Sequence, residues 1–363
     1  MLKKNNRTIY LVATVPRGGL IRRIIDRIIL VTKVIPPLYR YGADWLIPWA
    51  KPCRSPHHAS RMMLHHFKKF GKVRYYSLYE KGCIDLKPDD IFIGLPVPDG
   101  GFGFDSRPAG DDRKSITSAT LRKNRDSNRN KVMIIPFAND HKLMDWSVDL
   151  AKNYADKIIL IAGDIWTKDW KSTPYGDIDQ SRVLRIDNAV DITDYLPIKH
   201  SFNPKGERKL LYIGHTGWYK NTAELERIAE RMPGFKGTHY GQGIVKGWDN
   251  RGYGDFSPKS LEKMAKEHDI FVTVSNADAQ ATTILENICF GFPIACTPET
   301  GYEYPSIVKL DKDDTLANIK ALTAMNGMDE SDLKRLVEES RSVVRRFHSF
   351  DMYLEKLTNF IGL

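Results

Sequence analysis

Residues 271–301 read FVTVSNADAQATTILENICFGFPIACTPETG. The apolar run Ile270–Val274 is typical of a buried strand, and residues 275–280 form a short polar loop after it. Thr282–Phe290 is predicted to be a helix, because a Gly and a Pro directly after it end the pattern. A second short strand, Ile294–Cys296, follows. The segment is therefore one strand–loop–helix–strand unit of an α/β protein.

Two acids of this unit lie eight residues apart, Asp278 in the loop and Glu286 on the helix. At about 1.5 Å of rise per residue they are expected roughly 12 Å apart, about the length from the hexose to the ribose of an extended nucleotide sugar. Between them the helix start, at Thr282, offers free backbone N–H groups that suit a diphosphate. One loop and one helix could therefore bind sugar, phosphates and ribose. Solvated acids on an ordinary βαβ unit are the alternative.

These residues resemble the C-terminal half of a retaining glycosyltransferase with the GT-B fold, of the family 4 kind. The signature of that family is an acid, seven residues and a Glu, then a helix end of small residues, a Gly and a Pro. Here it reads Asp278-x7-Glu286, then ENICFGFP. The first acid is usually Glu, so Asp278 is a shorter variant. The resemblance implies that Glu286 binds the ribose hydroxyls and that Asp278 binds the sugar hydroxyls.

The segment KLLYIGHTGWYKNT, which begins at residue 209, carries a second part of the resemblance. A strand is predicted to end at Gly214, and a helix to start near Thr222. The family has an Arg just after that Gly and a Lys five residues later, both on the donor diphosphate. This chain has His215 and Lys220 at those positions. Lys220 beside a helix start suits a phosphate, whereas His215 is charged only when protonated.

Glycines mark two further loops that the resemblance assigns to nucleotide binding. Gly18 and Gly19 follow the first predicted strand, where the family has a Gly-Gly loop near the donor phosphates and the acceptor. Gly241 belongs to the turn at residues 239–243, which is expected to line the nucleotide site. Glycine permits close approach of the backbone, although plain βα turns use it equally. The chain has no G-x-G-x-x-G pattern at Gly18, which argues against a dinucleotide dehydrogenase.

A histidine beside a carboxylate follows the predicted strand Val132–Pro136, in the order Asp140-His141. The family often carries a His-Asp pair there, on the acceptor side of the site. The resemblance implies that His141 lies near the reacting centre and could exchange a proton. The candidate catalytic residues are therefore His141, Asp278 and Lys220.

Asp177-Ile178-Asp179 resembles the metal-binding D-x-D of the other large glycosyltransferase fold. It lies in a polar loop away from any nucleotide-binding pattern, and we interpret it as two solvated acids. The GT-B resemblance implies that no metal or resident cofactor is required. It also implies a UDP- or GDP-sugar donor.

The charge of the chain is unevenly distributed. Its 363 residues carry a net charge of +10, but residues 1–75 hold 16 Lys and Arg against two acids, so the remainder is slightly acidic. Such a basic region suits an anionic partner: a phospholipid surface, a lipid-linked diphosphate or a nucleic acid. The four cysteines lack metal-ligand or paired spacing, and no apolar run approaches the ~20 residues of a membrane span. We expect a cytoplasmic protein, with reversible attachment to the inner face of the membrane.

The whole chain is expected to form a GT-B fold, with two doubly wound Rossmann-like α/β domains facing a central cleft. The predicted bounds are 1–199 for the acceptor domain, 200–340 for the nucleotide-sugar domain and 341–363 for a C-terminal helix that crosses back to the first domain. Residues 199–208 are predicted as a linker, 20–35 as an amphipathic helix, 100–131 as a long mobile loop and 330–360 as one helix. Strands in the first half are predicted at Thr8–Thr14, Val73–Leu78, Asp90–Gly94, Val132–Pro136 and Lys157–Ala162.

By resemblance, the function is transfer of a hexose with retention from a nucleotide sugar to a glycan or lipid-linked saccharide. Three alternatives stay open. A nucleotide-sugar epimerase shares this fold. A nucleic-acid-binding or DNA-modifying protein fits the basic first 75 residues, which nevertheless lack a recognised nucleic-acid motif. An inactive relative acting as a scaffold fits the replacements at Asp278 and His215.

Overall fold

The computed structural model describes residues 7–13, 63, 66–77, 82–96, 115–135, 141–161, 167–192, 195–232, 234–254, 256–278 and 280–363, with only the backbone for 141–146. These residues form two compact units. The first comprises Met1–Ile161, Asp169–Ile186 and Tyr353–Leu363, and the second comprises Ala162–Lys168 and Asp187–Met352. The predicted Gly18-Gly19 loop and the helix at 20–35 lie outside the described residues.

The first unit is built on a parallel sheet of six described strands: β1 (Thr8–Ala13), β2 (Lys72–Ser77), β3 (Ile91–Gly94), β4 (Lys131–Ile135), β5 (Lys157–Ile161) and β6 (Val183–Ile186). Their order is β2-β1-β3-β4-β5-β6, and every neighbouring pair is parallel. The described helices are α1 (Ile116–Lys123) and α2 (His141–Asn153), and short 3₁₀ turns cover Trp170–Ser172 and Gln180–Arg182. The strands are largely buried and apolar, as expected for a parallel sheet covered on both faces.

The second unit has a second parallel sheet, made of β7 (Leu210–Ile213), β8 (Gly237–Tyr240), β9 (Asp249–Asn250), β10 (Ile270–Thr273), β11 (Ile294–Cys296) and β12 (Val308–Lys309). The strand order is β12-β11-β10-β7-β8-β9, again parallel throughout. Its helices are α3 (Thr222–Arg231), α4 (Pro258–Glu267), α5 (Thr282–Phe290), α6 (Thr315–Gly327) and α7 (Glu330–Phe347), with 3₁₀ turns at Trp218–Lys220 and Pro298–Thr300. The final helix, α8 (Phe350–Ile361), runs from the second unit into the residues grouped with the first.

The second sheet determines where a ligand can bind. Numbered within the unit, its strand order is 3-2-1-4-5-6, the doubly wound order in which the chain changes direction between the first and fourth strands. Here those strands are β7 and β10. In sheets of this order, ligands bind at the carboxyl ends of the strands where the order reverses.

The two units divide the chain at a different point from the predicted boundary at 199/200. Residues 187–199 are grouped with the second unit, in which the backbone N–H groups of Ile198 and Lys199 both donate to the carbonyl of Phe290. The predicted linker at 199–208 is wrong in character. Lys199 is buried and paired with Asp269 at 2.9 Å, and the Arg208 guanidinium donates to the carbonyls of two residues at the end of α6.

Two other predictions are wrong in detail. Residues 116–123 lie inside the predicted mobile loop at 100–131 but form α1, whose first turn is capped by the Ser115 hydroxyl at 3.1 Å from Ser118 N. The polar Thr117 and Thr120 are buried there because each is hydrogen-bonded to backbone at 3.0 Å. The predicted helix at 330–360 is two helices, because the chain breaks at His348, whose ring and backbone are engaged elsewhere.

Candidate functional site

Three polar loops meet at the carboxyl ends of adjacent strands in the second sheet. They follow β7 (residues 214–221), β10 (residues 274–281) and β11 (residues 297–301), and these strands are neighbours in the order β11-β10-β7. Backbone bonds join the loops: Asn276 N donates to Tyr219 O at 2.8 Å, and Asp278 N donates to Glu299 O at 2.9 Å. The loops that contain Lys220 and Asp278 therefore lie side by side in the second unit.

Lys220 is placed by an abrupt change of chain direction. The 3₁₀ turn Trp218–Lys220 ends at Asn221, which has a left-handed backbone (φ 48°) and directly precedes α3. Asn tolerates this conformation better than most residues, and its side-chain amide donates to Lys312 O at 2.9 Å. The Lys220 ammonium lies over the Tyr219 ring, 5.2 Å from its centroid, and contacts the Asp278 carboxylate.

Asp278 is 6% exposed, and the described hydrogen bonds of its side chain both fall on one carboxylate oxygen. Oδ2 receives Lys220 Nζ and, at 3.5 Å, Ser275 Oγ. Nearby, Glu299 Oε2 is buried and has no hydrogen-bond partner within the described part of the chain. The acidic side of the site therefore keeps hydrogen-bond acceptors that a ligand with hydroxyl groups could use.

His215 is a hydrogen-bonded part of the loop after β7. Gly217 N donates to its Nδ1 at 2.9 Å, which leaves the proton of the neutral ring on Nε2, 2.6 Å from Tyr219 OH. Burial, and secondly the charge of Lys220, lower the pKa of His215. Burial and the nearby Asp278 raise the pKa of Tyr219, so its hydroxyl stays protonated. A phosphate-binding role for His215 stays a prediction, and this geometry describes a neutral ring.

Helix α5 has the predicted bounds and ends at Gly291, whose left-handed backbone (φ 96°) suits glycine. Ala281 precedes the helix and has no side-chain acceptor for the first-turn N–H groups, including that of Thr282. Glu286 lies in the middle of α5 and accepts a hydrogen bond from Tyr195 OH at 3.1 Å. The predicted 12 Å spacing from Asp278 assumed helix throughout, which is wrong, because residues 278–281 precede α5.

Gly241 brings the turn after β8 against the loop after β7. Its backbone has φ +154°, and a Cβ there would lie 1.7 Å from Gly214 O, so this position requires glycine. His239, fully buried, lies 2.8 Å from the same carbonyl through Nε2 and 2.9 Å from Asn250 Oδ1 through Nδ1. The ring of His239 therefore supports the loop that leads to Lys220.

A cavity of about 600 Å³ opens beside this turn. It is lined by Tyr240, Arg251, Phe256, Leu261, Met264 and Glu267, among others. Arg251 makes a bidentate pair with Glu267 and donates to Tyr240 OH at 3.0 Å. The hydrogen bonds from Arg251 lower the pKa of Glu267 to about 2. The carbonyl of Tyr240 accepts from Gly214 N at 3.0 Å, so the cavity adjoins the loop after β7.

The acids of the D-x-D pattern and His141 belong to the first unit. His141 is the first residue of α2 in the first unit, and its side chain is not described. Asp177 is paired with Lys152 at 2.8 Å, and Asp179 accepts from Ser181 N at 2.9 Å, as expected for acids in a surface loop. Among the described residues, none of the His, Cys, Asp and Glu side chains group as a metal site.

Sequence reasoning missed four residues around the site: Tyr195, Tyr219, Gln280 and Glu299. Tyr195 and Glu299 lie far along the chain from the residues that they contact, so spacing gave no signal. Tyr219 stands next to Lys220, and the loop sequence gives no separate signal for it. The loop sequence SNADAQ gives no indication that Gln280 is 1% exposed.

No protein family profile matches the chain, and no curated protein matches it. Solved structures do. TarM of S. aureus has a TM-score of 0.56 at 16% identity over 84% of this chain, which spans only 58% of TarM. Sucrose-phosphate synthase from Thermosynechococcus elongatus has 0.58 at 11% identity, with 98% of both chains covered. HepE of Anabaena, solved with UDP and glucose, has 0.55 at 9% identity over 98% of this chain and 99% of HepE.

At these identities the likeness establishes the fold. The chain has the α/β GT-B fold of these glycosyltransferases, with two parallel six-stranded sheets. Among the described residues, none of the helices is both long and apolar enough to cross a bilayer.

Proposed function

We propose that this protein is a glycosyltransferase that moves a hexose from a nucleoside diphosphate sugar to a saccharide acceptor with retention. The observation that carries the proposal is the convergence of Lys220, Asp278 and the start of α5 at the point where the second sheet reverses. A cation, sugar-binding acceptors and free helix N–H groups are the groups that such a donor needs. The GT-B neighbours, some of them solved with UDP, support this class of ligand.

The Lys220–Asp278 pair suggests how the donor binds. A diphosphate at Lys220 competes with the Asp278 carboxylate for the same ammonium group. When the phosphate takes the ammonium, Asp278 becomes available to accept hydrogen bonds from sugar hydroxyls. Donor binding therefore exchanges an internal ion pair for two ligand contacts, and Lys220 then stabilises the charge that grows on the departing diphosphate.

With the diphosphate at Lys220, the ribose and the base can be assigned to neighbouring residues. Glu286, on α5 beyond its first turn, accepts the ribose hydroxyls. The base enters the cavity beside Tyr240, because that cavity adjoins the phosphate-binding loop and carries the aromatic rings of Tyr240 and Phe256. Because retaining enzymes of this fold often have no obvious protein nucleophile, catalysis rests on leaving-group stabilisation and on acceptor placement. No metal is required in this scheme.

Calorimetry with UDP, GDP, ADP and CMP tests the donor class, and NMR of the product tests the anomeric outcome. Binding of one nucleoside diphosphate and a product with the donor's anomeric configuration support the proposal. Failure to bind any of the nucleotides contradicts it. Conversion of the donor to an epimer without acceptor identifies the nucleotide-sugar epimerase instead.

We also propose that the acceptor is a lipid-linked saccharide met at an anionic membrane surface. The 16 cations against two acids in residues 1–75 support this, at about 1 kcal/mol for each basic residue near such a surface. Co-sedimentation with anionic vesicles should be strong in 0.1 M salt and lost in 1 M salt, because the Debye length falls from about 10 Å to about 3 Å. A protein that ignores the vesicles yet shifts duplex DNA in a gel favours the nucleic-acid alternative.

A further inference from the structure

Gln280 stands out in the loop between β10 and α5. It lies two residues after Asp278 and is 1% exposed, although its neighbours in the loop are small. Its backbone is left-handed, with φ 49°, which is unfavourable for a residue that carries a Cβ. With this backbone at Gln280, α5 cannot extend back to Asp278. Something other than local preference must therefore hold the conformation.

The side chain of Gln280 supplies that restraint through residues more than 90 positions away in the chain. Its Nε2 donates to Asp187 Oδ1, and its Oε1 accepts from Asn188 N, each at 2.6 Å. Asn188 Nδ2 in turn donates to the backbone carbonyl of Gln280 at 2.6 Å. Because both ends of the amide are used, its orientation is fixed, and the side chain and backbone of Gln280 are held together.

The turn that contains Asp187 and Asn188 is itself fixed by hydrogen bonds to His348. The ring of His348, at the end of α7, donates from Nδ1 to Asn188 O at 2.7 Å, and Val190 N donates to His348 O at 2.9 Å. Tyr304 OH lies 2.6 Å from Nε2 of the same fully buried ring. The segment at 187–190 is therefore a rigid support within the second unit.

We infer that Gln280 is a positioning residue: through Asp187 and Asn188 it fixes the backbone between Asp278 and α5, and so places the acceptor for the donor sugar. The inference rests on the proposed function only in assigning a sugar contact to Asp278. Gln280 itself faces the protein interior and is not offered as a ligand of the donor.

Reversing the polarity of one hydrogen bond tests this role. Gln280→Glu keeps the size and the acceptor toward Asn188 N, but sets a carboxylate against Asp187. The double variant Gln280→Glu/Asp187→Asn restores the bond with donor and acceptor exchanged. The exposed Gln180→Glu, in a 3₁₀ turn of the first unit, is the control for the added charge.

Two readouts separate this inference from the proposed function. In the ligand-free protein, hydrogen exchange of the amides at 276–286 should accelerate about tenfold in Gln280→Glu and return toward wild type in the double variant. With UDP and UDP-glucose as probes, the sugar increment is the ratio of the affinity for UDP-glucose to the affinity for UDP. This ratio should fall about tenfold in the single variant and recover in the double variant. UDP binding by the wild type tests the proposed function alone.

Each outcome decides the inference. Local acceleration with rescue supports the restraint of this backbone by Gln280, even where the wild type binds no nucleotide. Unchanged exchange at 276–286, acceleration spread evenly over both units, or failure of the double variant to recover would overturn it. Where the wild type binds UDP-glucose, an unchanged sugar increment in a variant with accelerated exchange also overturns the placement of the sugar acceptor.

Discussion

Two buried Lys–Asp pairs flank the same strand of the second sheet. Asp269 directly precedes β10 and pairs with Lys199, whereas Asp278 follows β10 and pairs with Lys220. Their side chains are all largely buried, with exposures of 1% and 0% in the first pair and 13% and 8% in the second. The two pairs are alike in chemistry but lie at opposite ends of the strand.

The pairs differ in how completely the carboxylate is used. Asp269 accepts from Lys199 Nζ, from both the backbone and the side-chain amide of Asn203, and from Lys209 N, at 2.8–2.9 Å. These bonds occupy both of its oxygens. The described hydrogen bonds of the Asp278 carboxylate fall on one oxygen, and one of them is 3.5 Å long. A saturated pair at the amino end of a strand therefore indicates stability, and an unsaturated one at the carboxyl end indicates a ligand site.

The largest expected effect is the loss of the saturated pair. Asp269→Ala leaves the Lys199 ammonium buried without a counter-charge, which should cost about 3–5 kcal/mol in the free energy of unfolding. Urea denaturation followed by circular dichroism measures this loss. Under conditions where the variant stays folded, its affinity for UDP should match the wild type. A stable variant that has lost UDP binding would reverse the assignment of the two pairs.

Acid provides an independent check on Asp269. Burial alone raises its pKa, but the hydrogen bonds from Asn203, Lys199 and Lys209 outweigh burial and hold the pKa below its ordinary value. Because the folded pKa is depressed, this contribution is fully present above the unfolded value of about 3.9 and is lost as the pH falls through the folded pKa. Urea midpoints at pH 7 and pH 3 should therefore differ less in Asp269→Asn than in the wild type.

The second effect concerns the unsaturated pair and should appear in turnover. Lys220→Ala removes the cation that faces the departing diphosphate, and turnover should fall by about 10²–10³. Donor binding should weaken less, because the charge on the leaving group is greatest in the transition state. Steady-state kinetics separate the two, with Lys220→Ala/Asp278→Ala as the charge-balanced control. A change confined to KM would show uniform binding and contradict this role.

The sequence predicted the parts of this comparison that depend on local pattern. The apolar run of β10, the glycine after α5 and the Lys at the start of α3 all carry local signals, and each led to a correct element. Neither ion pair could be predicted, because the partners are 58 and 70 residues apart. The polar helix α1 was missed because its buried threonines depend on hydrogen bonds to distant backbone, which a hydrophobic pattern cannot show.

The third effect is smaller and concerns the nucleoside. Glu286→Ala should weaken binding of the cognate nucleotide by about 1.5–3 kcal/mol, roughly tenfold to 150-fold, if its carboxylate holds the ribose hydroxyls. Calorimetry measures the change. Tyr195→Phe is the matched control, because it removes the described hydrogen bond to Glu286 and leaves the carboxylate in place. Equal affinity of folded Glu286→Ala and wild type would contradict the ribose assignment.

The smallest effect is expected at His215, and it determines whether the unsaturated pair has a second cation beside it. Burial and the charge of Lys220 lower the pKa of His215, so the ring becomes charged only below its ordinary pKa of about 6.5. His215→Asn keeps an acceptor for Gly217 N, and we expect UDP affinity at pH 7.5 to change by less than about threefold. At pH 5.5 the wild type should bind UDP more tightly than the variant only to the extent that the His215 ring is protonated. Calorimetry at both values measures the ratio of the two affinities, which cancels the titration of UDP itself. A tenfold loss at pH 7.5 would show that the ring binds phosphate in its neutral form, and Lys220 would then share the diphosphate even where His215 carries no charge.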